Sequence, residues 1–327
     1  MTFGWNVLDI DARSEVERMC RELHAAVATT LHKRGAVIAI SGGVDSAVCA
    51  AIAVRALEPE RVLALILPER ESSPESHQRA LSLAVHLGIT PLEQDIGATL
   101  EAMGCYRWRD EAVRRVLPQY GAGWRMKIVV SGGLEGRINH FKLVVQSPEG
   151  STHEARLKLP EYLQIVAATS FKQRVRKIVE YFHADRLNYA VIGTPNRLEY
   201  DQGFFVKNGD GAADIKPIAH LYKTQVYAIA RHLGLPPDIA AAPPTTDTYS
   251  LSQGQDEFYF ALPYREMDLA LWALNHGIGK ERLAEALGMS PERAGRVYDD
   301  IGAKRRATRY LHKQPLLLGP VPEIDGE

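Results

Sequence analysis

A short apolar strand that runs into two glycines and straight out into a helix leaves little choice of architecture, and residues 35–54 have that pattern. Gly35-Ala36-Val37-Ile38-Ala39-Ile40 is apolar and partly β-branched, as a buried strand should be. Ala47-Val48-Cys49-Ala50-Ala51-Ile52-Ala53-Val54 combines helix-favouring alanines with an apolar surface and reads as a buried helix. Between them lies Ser41-Gly42-Gly43-Val44-Asp45-Ser46. Glycines there let the backbone turn tightly and aim several N–H groups at one point, at the positive end of the helix dipole. That is an anion site, and phosphate is the common biological anion for it. The plainer reading is a turn in which Asp45 and Ser46 only cap the helix. The chain holds its own control: Ser131-Gly132-Gly133 sits between the strand-like stretches 126–130 and 141–145, with neither Asp-Ser nor an apolar helix after it. That copy is expected to be a loop between paired strands, whereas the first copy has strand, loop, acid, hydroxyl and helix in order.

A length of 327 residues gives core enough for one large domain or two smaller ones. The 39 basic and 40 acidic residues balance, so no global nucleic-acid surface is implied. Cys20, Cys49 and Cys105 are far apart and form no CxxC pair, which argues against zinc, iron–sulfur or a disulfide framework and suits a reducing cytoplasm. Residues 1–13 lack the apolar core of a signal peptide, and no apolar run reaches membrane-span length. A soluble cytoplasmic protein is expected, with no membrane or nucleic-acid partner.

Along the chain, residues 14–33 show helical spacing (Val16, Met19, Cys20, Leu23, Val27), and 61–67 read as a second strand stopped by Pro68. A helix from about 76 to 87 closes at Gly88. This alternation predicts a parallel sheet with right-handed crossovers, with ligands beyond the carboxyl ends of the strands. The texture changes over 105–159, where charged helix-like residues give way to glycines and hairpin signals such as Pro148-Glu149-Gly150. This stretch reads as an insertion with a small antiparallel sheet, whose Trp108 and Trp124 suit a local mini-core or a partner surface. Helical periodicity returns over 161–182, a strand over 189–194 ends in Gly-Thr, and a helix after Leu221-Tyr222-Lys223-Thr224 runs to about 233.

Two further blocks add chemistry: Gly193-Thr194-Pro195-Asn196-Arg197-Leu198-Glu199, and Lys207-Asn208-Gly209-Asp210-Gly211-Ala212-Ala213-Asp214 with Leu221-Tyr222-Lys223-Thr224-Gln225. With Ser-Gly-Gly-x-Asp-Ser, they make the chain resemble the NAD synthetase family, within the ATP-pyrophosphatase superfamily, over roughly 14–100, 165–270 and a short tail near 312. The loop alone says that ATP is split to AMP and pyrophosphate; the later blocks narrow the family. The resemblance implies an α/β fold, a Rossmann-like parallel sheet flanked by helices (adenine nucleotide alpha-hydrolase-like), formed by 1–104 and 160–327 around the 105–159 insertion. It implies that Ser41, Gly42, Gly43 and Ser46 hold ATP phosphates and that Thr194 lines the nucleotide pocket. Asp45 and Glu199 would hold Mg²⁺, and Lys223 and Thr245 would contact phosphates and act with Asp45 in catalysis. Ser170, Arg174, Lys207, Asp210 and Asp214 would face the dinucleotide. His312-Lys313 resembles the family's C-terminal His-Lys pair that closes over the site.

The implied reaction is attack of the nicotinate carboxylate of deamido-NAD on the α-phosphorus of ATP, followed by displacement of AMP by ammonia. No protein nucleophile is needed. The family also implies a homodimer that binds the dinucleotide across its boundary.

Some residues depart from the family pattern. The segment 67–74, with Ser72-Ser73, resembles the glutamine-using synthetases, yet the chain has no room for their amidohydrolase domain, so free ammonia or a separate glutaminase partner is implied. Ser170 stands where a substrate-facing Asn is usual, and Tyr259 and Ala261 where Glu and Gly are usual, after Gln253-Gly254-Gln255-Asp256-Glu257. The rival reading is a related ATP-pyrophosphatase that amidates another carboxylate. A tRNA-thiolating enzyme would need paired cysteines and a basic surface, and neither is evident; a non-catalytic nucleotide-binding protein would tolerate loss of Asp45 and Glu199.

Overall fold

The computed structural model describes residues 3–131, 140–242, 249–251, 254, 259, 260, 262–319 and 321. Thr245 and its neighbours 243–248, Gly132-Gly133, Gln253, the stretch 255–257 and Ala261 lie outside the described residues. The hub is strand β1 (Ala36–Ala39), which pairs in parallel with β2 (Val62–Ile66) on one side and β7 (Ala190–Val191) on the other. With β3 (Leu92–Glu93) the order is β3-β2-β1-β7, all parallel. The chain winds outward through β2 and β3 and returns on the far side as β7, so β1 is the topological switch point, where α/β sheets place their ligands.

Helix α2 (Val44–Leu57) follows β1 directly, and ten of its fourteen residues are buried. A helix apolar all round can only sit inside a core. It lies between the sheet, α1 (Ala12–Ala25) and α8 (Lys223–His232), in a cluster with Ile38, Ile52, Ala64, Val226 and Ile229. Each fully buried isoleucine contributes about 1.5–3 kcal/mol. The other sheet face packs Val37, Leu65 and Val191 against Ala184 of α6 (Leu159–Leu187). The parallel sheet is thus covered on both faces, as its continuous apolar strands require.

Residues 105–159 form α5 (Cys105–Val116) and an antiparallel sheet of β4 (Arg125–Ser131), β5 (His140–Gln146) and β6 (Thr152–Arg156). Met126, Ile128, Leu143 and Val145 are fully buried and close on Ile165 of α6 and on Tyr249. The tryptophans join local packing: Trp108 meets Phe171 edge-on at 5.7 Å, and Trp124 packs with Tyr120 and His153. A second core, built on Met267, Leu269, Leu271, Ala294, Val297 and Ile301, joins α10 (Tyr264–Asn275), α11 (Lys280–Leu287) and α12 (Pro291–Thr308) to Leu198. Leu198 belongs to α7 (Arg197–Gln202). No described helix is long and apolar enough to cross a membrane.

A buried ionic network fastens α5 to the loop after β2. Lys172 of α6 donates to Glu69 at 3.0 Å and also pairs with Glu71, which Arg109 of α5 reaches from the other side; the Tyr106 hydroxyl donates to Glu69 at 2.6 Å. All four charged side chains are at most 7% exposed. Burial works against its charge, yet the Lys172 and Arg109 cations hold the Glu71 carboxyl below its usual range. Removing the central cation leaves two acids buried without it, so Lys172→Ala should lower stability by about 3–5 kcal/mol in urea denaturation. A loss below about 1 kcal/mol would give the network no more weight than surface pairs.

Candidate active site

Beyond the carboxyl ends of β1, β2 and β7 opens a cavity of about 1060 Å³. That is at the top of the range for small-molecule sites and roomy enough for two substrates side by side. Its floor is the Ser41–Ser46 loop. Gly42 has φ +79°, and a Cβ there would lie 2.3 Å from the Ser76 carbonyl oxygen of α3 (Pro74–His86), so only glycine fits. The loop curls onto itself: the Ser41 N–H donates to Ser46 Oγ at 3.2 Å, the Ser46 hydroxyl to the Gly43 carbonyl at 3.0 Å, and the Gly43 N–H to Ser41 Oγ at 3.3 Å. Arg79 of α3 donates to the Gly42 carbonyl at 3.2 Å and lines the same floor. Gly43, the residue before α2, makes no side-chain cap, so the helix opens onto the cavity at its positive end.

Three helices begin at this point, and each brings one charged side chain in its first turn: Asp45 on α2, Glu199 on α7 and Lys223 on α8. Lys223 Nζ pairs with Asp45, and its side chain is 3% exposed. Asn196 Nδ2 donates to the other Asp45 oxygen at 3.1 Å, while the Asn196 backbone N–H donates to Glu199 at 3.1 Å in a capping box that starts α7. One asparagine thus ties both acids together. Burial, reinforced by the Asp45 charge, pushes the Glu199 carboxyl up to about 8. Burial also disfavours the Lys223 ammonium, but the Asp45 and Glu199 charges outweigh it and hold Lys223 above its usual value.

The cavity walls gather other expected residues. Thr194 follows β7, Ser170 lies on α6, and Asp210 accepts the Val206 N–H at 2.7 Å, with burial raising its carboxyl. Arg174, Lys207, Asp214, His312 and Lys313 do not line it. Arg174 is exposed and donates to the Lys207 carbonyl at 3.2 Å; Lys207 in turn donates to the carbonyls of Tyr310 and Lys313, both at 3.1 Å. His312 packs edge-on against Tyr200 and Phe205, and burial and nearby Lys216 lower its basicity. Asp214 accepts the Val191 N–H at 2.7 Å and the Tyr181 hydroxyl at 3.3 Å, which pins its loop to β7.

Residues 15–136 and 137–313 match the family described as NAD synthase. This chain belongs to the NAD synthase family. It is 53% identical over 326 residues to an NH(3)-dependent NAD(+) synthetase of Rhizobium meliloti (strain 1021), across 99% of this chain and 97% of that one. The 105–159 stretch lies inside that match. Among solved structures, an NH3-dependent NAD synthetase from Campylobacter jejuni shares the fold with a TM-score of 0.62 and 22% identity, covering 95% of this chain and all of that one. An NMN synthetase from Francisella tularensis does so at 0.64 and 22%, covering 94% and 99%. Likeness at that identity speaks for the fold alone. As a member of the NAD synthase family the chain is an ATP-dependent amidating ligase.

Several side chains at this NAD synthase site went unmarked by its motifs. Lys177 donates to Glu180 at 2.7 Å on the cavity face of α6, and Lys304 donates to Asp300 at 2.6 Å on α12, with all four residues lining the cavity. Both pairs sit at helical spacings that also suit a solvated surface, so a sequence gives them no distinguishing mark. Asp268 of α10 accepts the Lys223 N–H at 3.1 Å and, from Thr224, the N–H and the hydroxyl at 2.6 Å each. It caps α8 from another helix and fixes where Lys223 begins. Burial pushes its carboxyl from 3.8 up to about 7, against the pull of those hydrogen bonds. The folded state therefore binds this proton more tightly than the unfolded chain, and the stability it confers is full below pH 3.8 and lost as pH rises through about 7. Asp268→Asn, which cannot titrate, should flatten the fall in urea midpoint between those pH values; an unchanged slope would assign the titration elsewhere.

Proposed function

We propose that this chain makes NAD⁺ from deamido-NAD, ATP and ammonia. The observation that carries the reading is the junction of Asp45, Glu199 and Lys223 at the Ser41–Ser46 loop, inside one cavity large enough for both nucleotides. The near full-length identity to an NH(3)-dependent NAD(+) synthetase supports ammonia as the nitrogen donor. A carboxylate resists amidation because it would have to expel oxide. Adenylation solves this: a carboxylate oxygen attacks the α-phosphorus, pyrophosphate leaves, and ammonia then adds to the acyl carbon as AMP departs with a proton released.

In this mechanism the chain's own groups position substrates and neutralise charge. Ser41, Gly42, Gly43 and Ser46 hold the ATP phosphates with N–H and hydroxyl donors, Lys223 faces the phosphate that departs, and Thr194 bounds the nucleotide. Thr245, assigned to the phosphates by resemblance, keeps that role as a proposal. Asp45 and Glu199 suit a magnesium ion, since they are hard oxygen donors that Asn196 draws together. Among the described residues no group of three or more His, Cys, Asp or Glu forms a metal cage, which fits an ion shared with phosphates. When bound, Mg²⁺ offsets the charge of the departing pyrophosphate.

Ser170 and Asp210 face the acceptor within the cavity. Arg174, Lys207 and the His312-Lys313 tail form a second cluster beside it, suited to a dinucleotide that crosses a dimer boundary; Asp214, held against β7, keeps its substrate-facing role as a proposal. Leu159, Leu163, Ile178 and Phe182 on α6 are exposed apolar residues that support such a homodimer. Residues 105–159 are an insertion between the two halves of the ATP-splitting domain. Three free cysteines accord with a cytoplasmic location.

The test is purified protein with ATP, magnesium, ammonium and deamido-NAD, read as equal amounts of AMP and NAD⁺. AMP release only with a different carboxylic acid would transfer the reading to another acceptor. Asp45→Asn and Glu199→Gln should each cut turnover roughly 10²–10³-fold with folding retained, the scale of losing one preorganised charge-stabilising group. Full turnover in either would remove that group from catalysis.

A further inference from the structure

Helix α3 packs its first two turns against the Ser41–Ser46 loop. A Cβ on Gly42 would lie 2.3 Å from the Ser76 carbonyl oxygen and 3.1 Å from the Arg79 Cβ, so helix and loop are in contact there. From that position the Arg79 guanidinium reaches the loop itself: Nε donates to the Gly42 carbonyl and Nη2 to Ser76 Oγ, both at 3.2 Å. Ser76 Oγ is fixed in turn, because it accepts the hydroxyl of Ser73, the N-cap of α3, at 3.0 Å. Arg79 is thus oriented by the loop and by its own helix, and it lines the cavity floor beside them.

Both of those bonds come from one edge of the guanidinium, Nε with Nη2. The edge formed by Nη1 and Nη2 remains, and such a planar pair of N–H donors matches two oxygens of one phosphate. Among the described residues no carboxylate pairs with Arg79, whose hydrogen bonds go to a carbonyl and a hydroxyl. The three cavity lysines differ from it: Lys223 is paired with Asp45, Lys177 with Glu180, and Lys304 with Asp300.

Topology separates Arg79 from Lys223. Strand β1 lies between β2 and β7; α3 follows β2, whereas Asn196, Glu199 and Lys223 follow β7. The two cations therefore approach the one loop from opposite sides. The charge of Lys223 already serves Asp45, so a polyphosphate entering the loop meets an uncommitted positive charge on the α3 side.

We propose that Arg79 is a polyphosphate-binding residue of this site, taking two oxygens of an ATP phosphate on the side of the loop opposite Lys223. The inference rests on the reading of the Ser41–Ser46 loop as the ATP phosphate site.

Inorganic pyrophosphate is the probe, with adenosine as the control that carries no phosphate, each titrated calorimetrically into the full chain. Arg79→Gln is the informative variant: its amide nitrogen lies as many bonds from the backbone as Arg79 Nε, so it can keep the hydrogen bond to Gly42 without the charge. Pyrophosphate affinity should fall about tenfold or more and the KM for ATP should rise by a similar factor, while adenosine affinity and the KM for deamido-NAD stay within about twofold. Arg79→Lys, which has the charge but not the planar fork, should fall between parent and Arg79→Gln. Parental pyrophosphate affinity in Arg79→Gln would reduce Arg79 to a brace for Gly42 and overturn the proposal. Equal losses for pyrophosphate and adenosine would also overturn it, by showing a loop that has lost its shape. If Arg79→Gln does not fold, Arg79→Lys is read with the same probes and the same outcomes. A parent that binds neither pyrophosphate nor ATP would remove the phosphate reading of the loop itself, a result distinct from a parent that binds and a variant that binds equally well.

Discussion

The pairing of Lys223 with Asp45 is the constraint around which the rest of the fold is arranged. An ammonium and a carboxylate that leave water lose several kcal/mol of hydration each, and only close, well-satisfied geometry recovers it. The chain meets that condition by converging three helix starts on one point. The loop after β1 delivers Asp45, the capping box of α7 delivers Asn196 and Glu199, and Asp268 holds the first turn of α8 so that Lys223 is presented. None of these groups is independent of the others. Without the lysine, Asp45 and Glu199 would confront each other in a poorly solvated space.

Legibility in the sequence followed the range over which a physical signal acts. The Ser41–Ser46 loop was plain because strand, glycines and helix are contiguous, and Gly42 cannot be anything else against Ser76. The parallel sheet and the antiparallel pairing of 126–130 with 141–145 were equally local signals. Glu199 came through a motif that doubles as its own capping box. Phase along α6 was harder to read. The run Lys172-Gln173-Arg174-Val175-Arg176 offers three cations, and a turn of about 100° per residue sends Lys172 into a buried network, Arg176 into the cavity and Arg174 to the surface. Asp268 could not be found at all, because its partner is the start of a helix 44 residues earlier.

The C-terminal helices show a related limit. Residues 264–308 carry no motif, yet α12 supplies Asp300 and Lys304 to the cavity, and its Thr308 lies where a Cβ on Gly203, the residue after α7, would come within 2.2 Å. Packing of that closeness between elements so distant in sequence is a property of the folded surface, not of either segment. The stretch 105–159 is similar: alternation along β4 and β5 specifies which residues share a face, but whether that face stops at Ile165 or overhangs the cavity depends on where α6 places it.

The span between Asp45 and Lys223 also has a temporal meaning. They are 178 residues apart, which at a typical 5–20 residues per second is roughly 10 to 35 seconds of translation. For that interval the Ser41–Ser46 loop and its aspartate are outside the ribosome without their lysine, and Glu199 arrives before it too. The nascent chain therefore carries an electrostatically incomplete pocket until α8 emerges, and then α10 with Asp268. The charge balance of Asp45 and Glu199 is thus completed by a group synthesised after both of them, so their mutual repulsion is relieved only once α8 is in place.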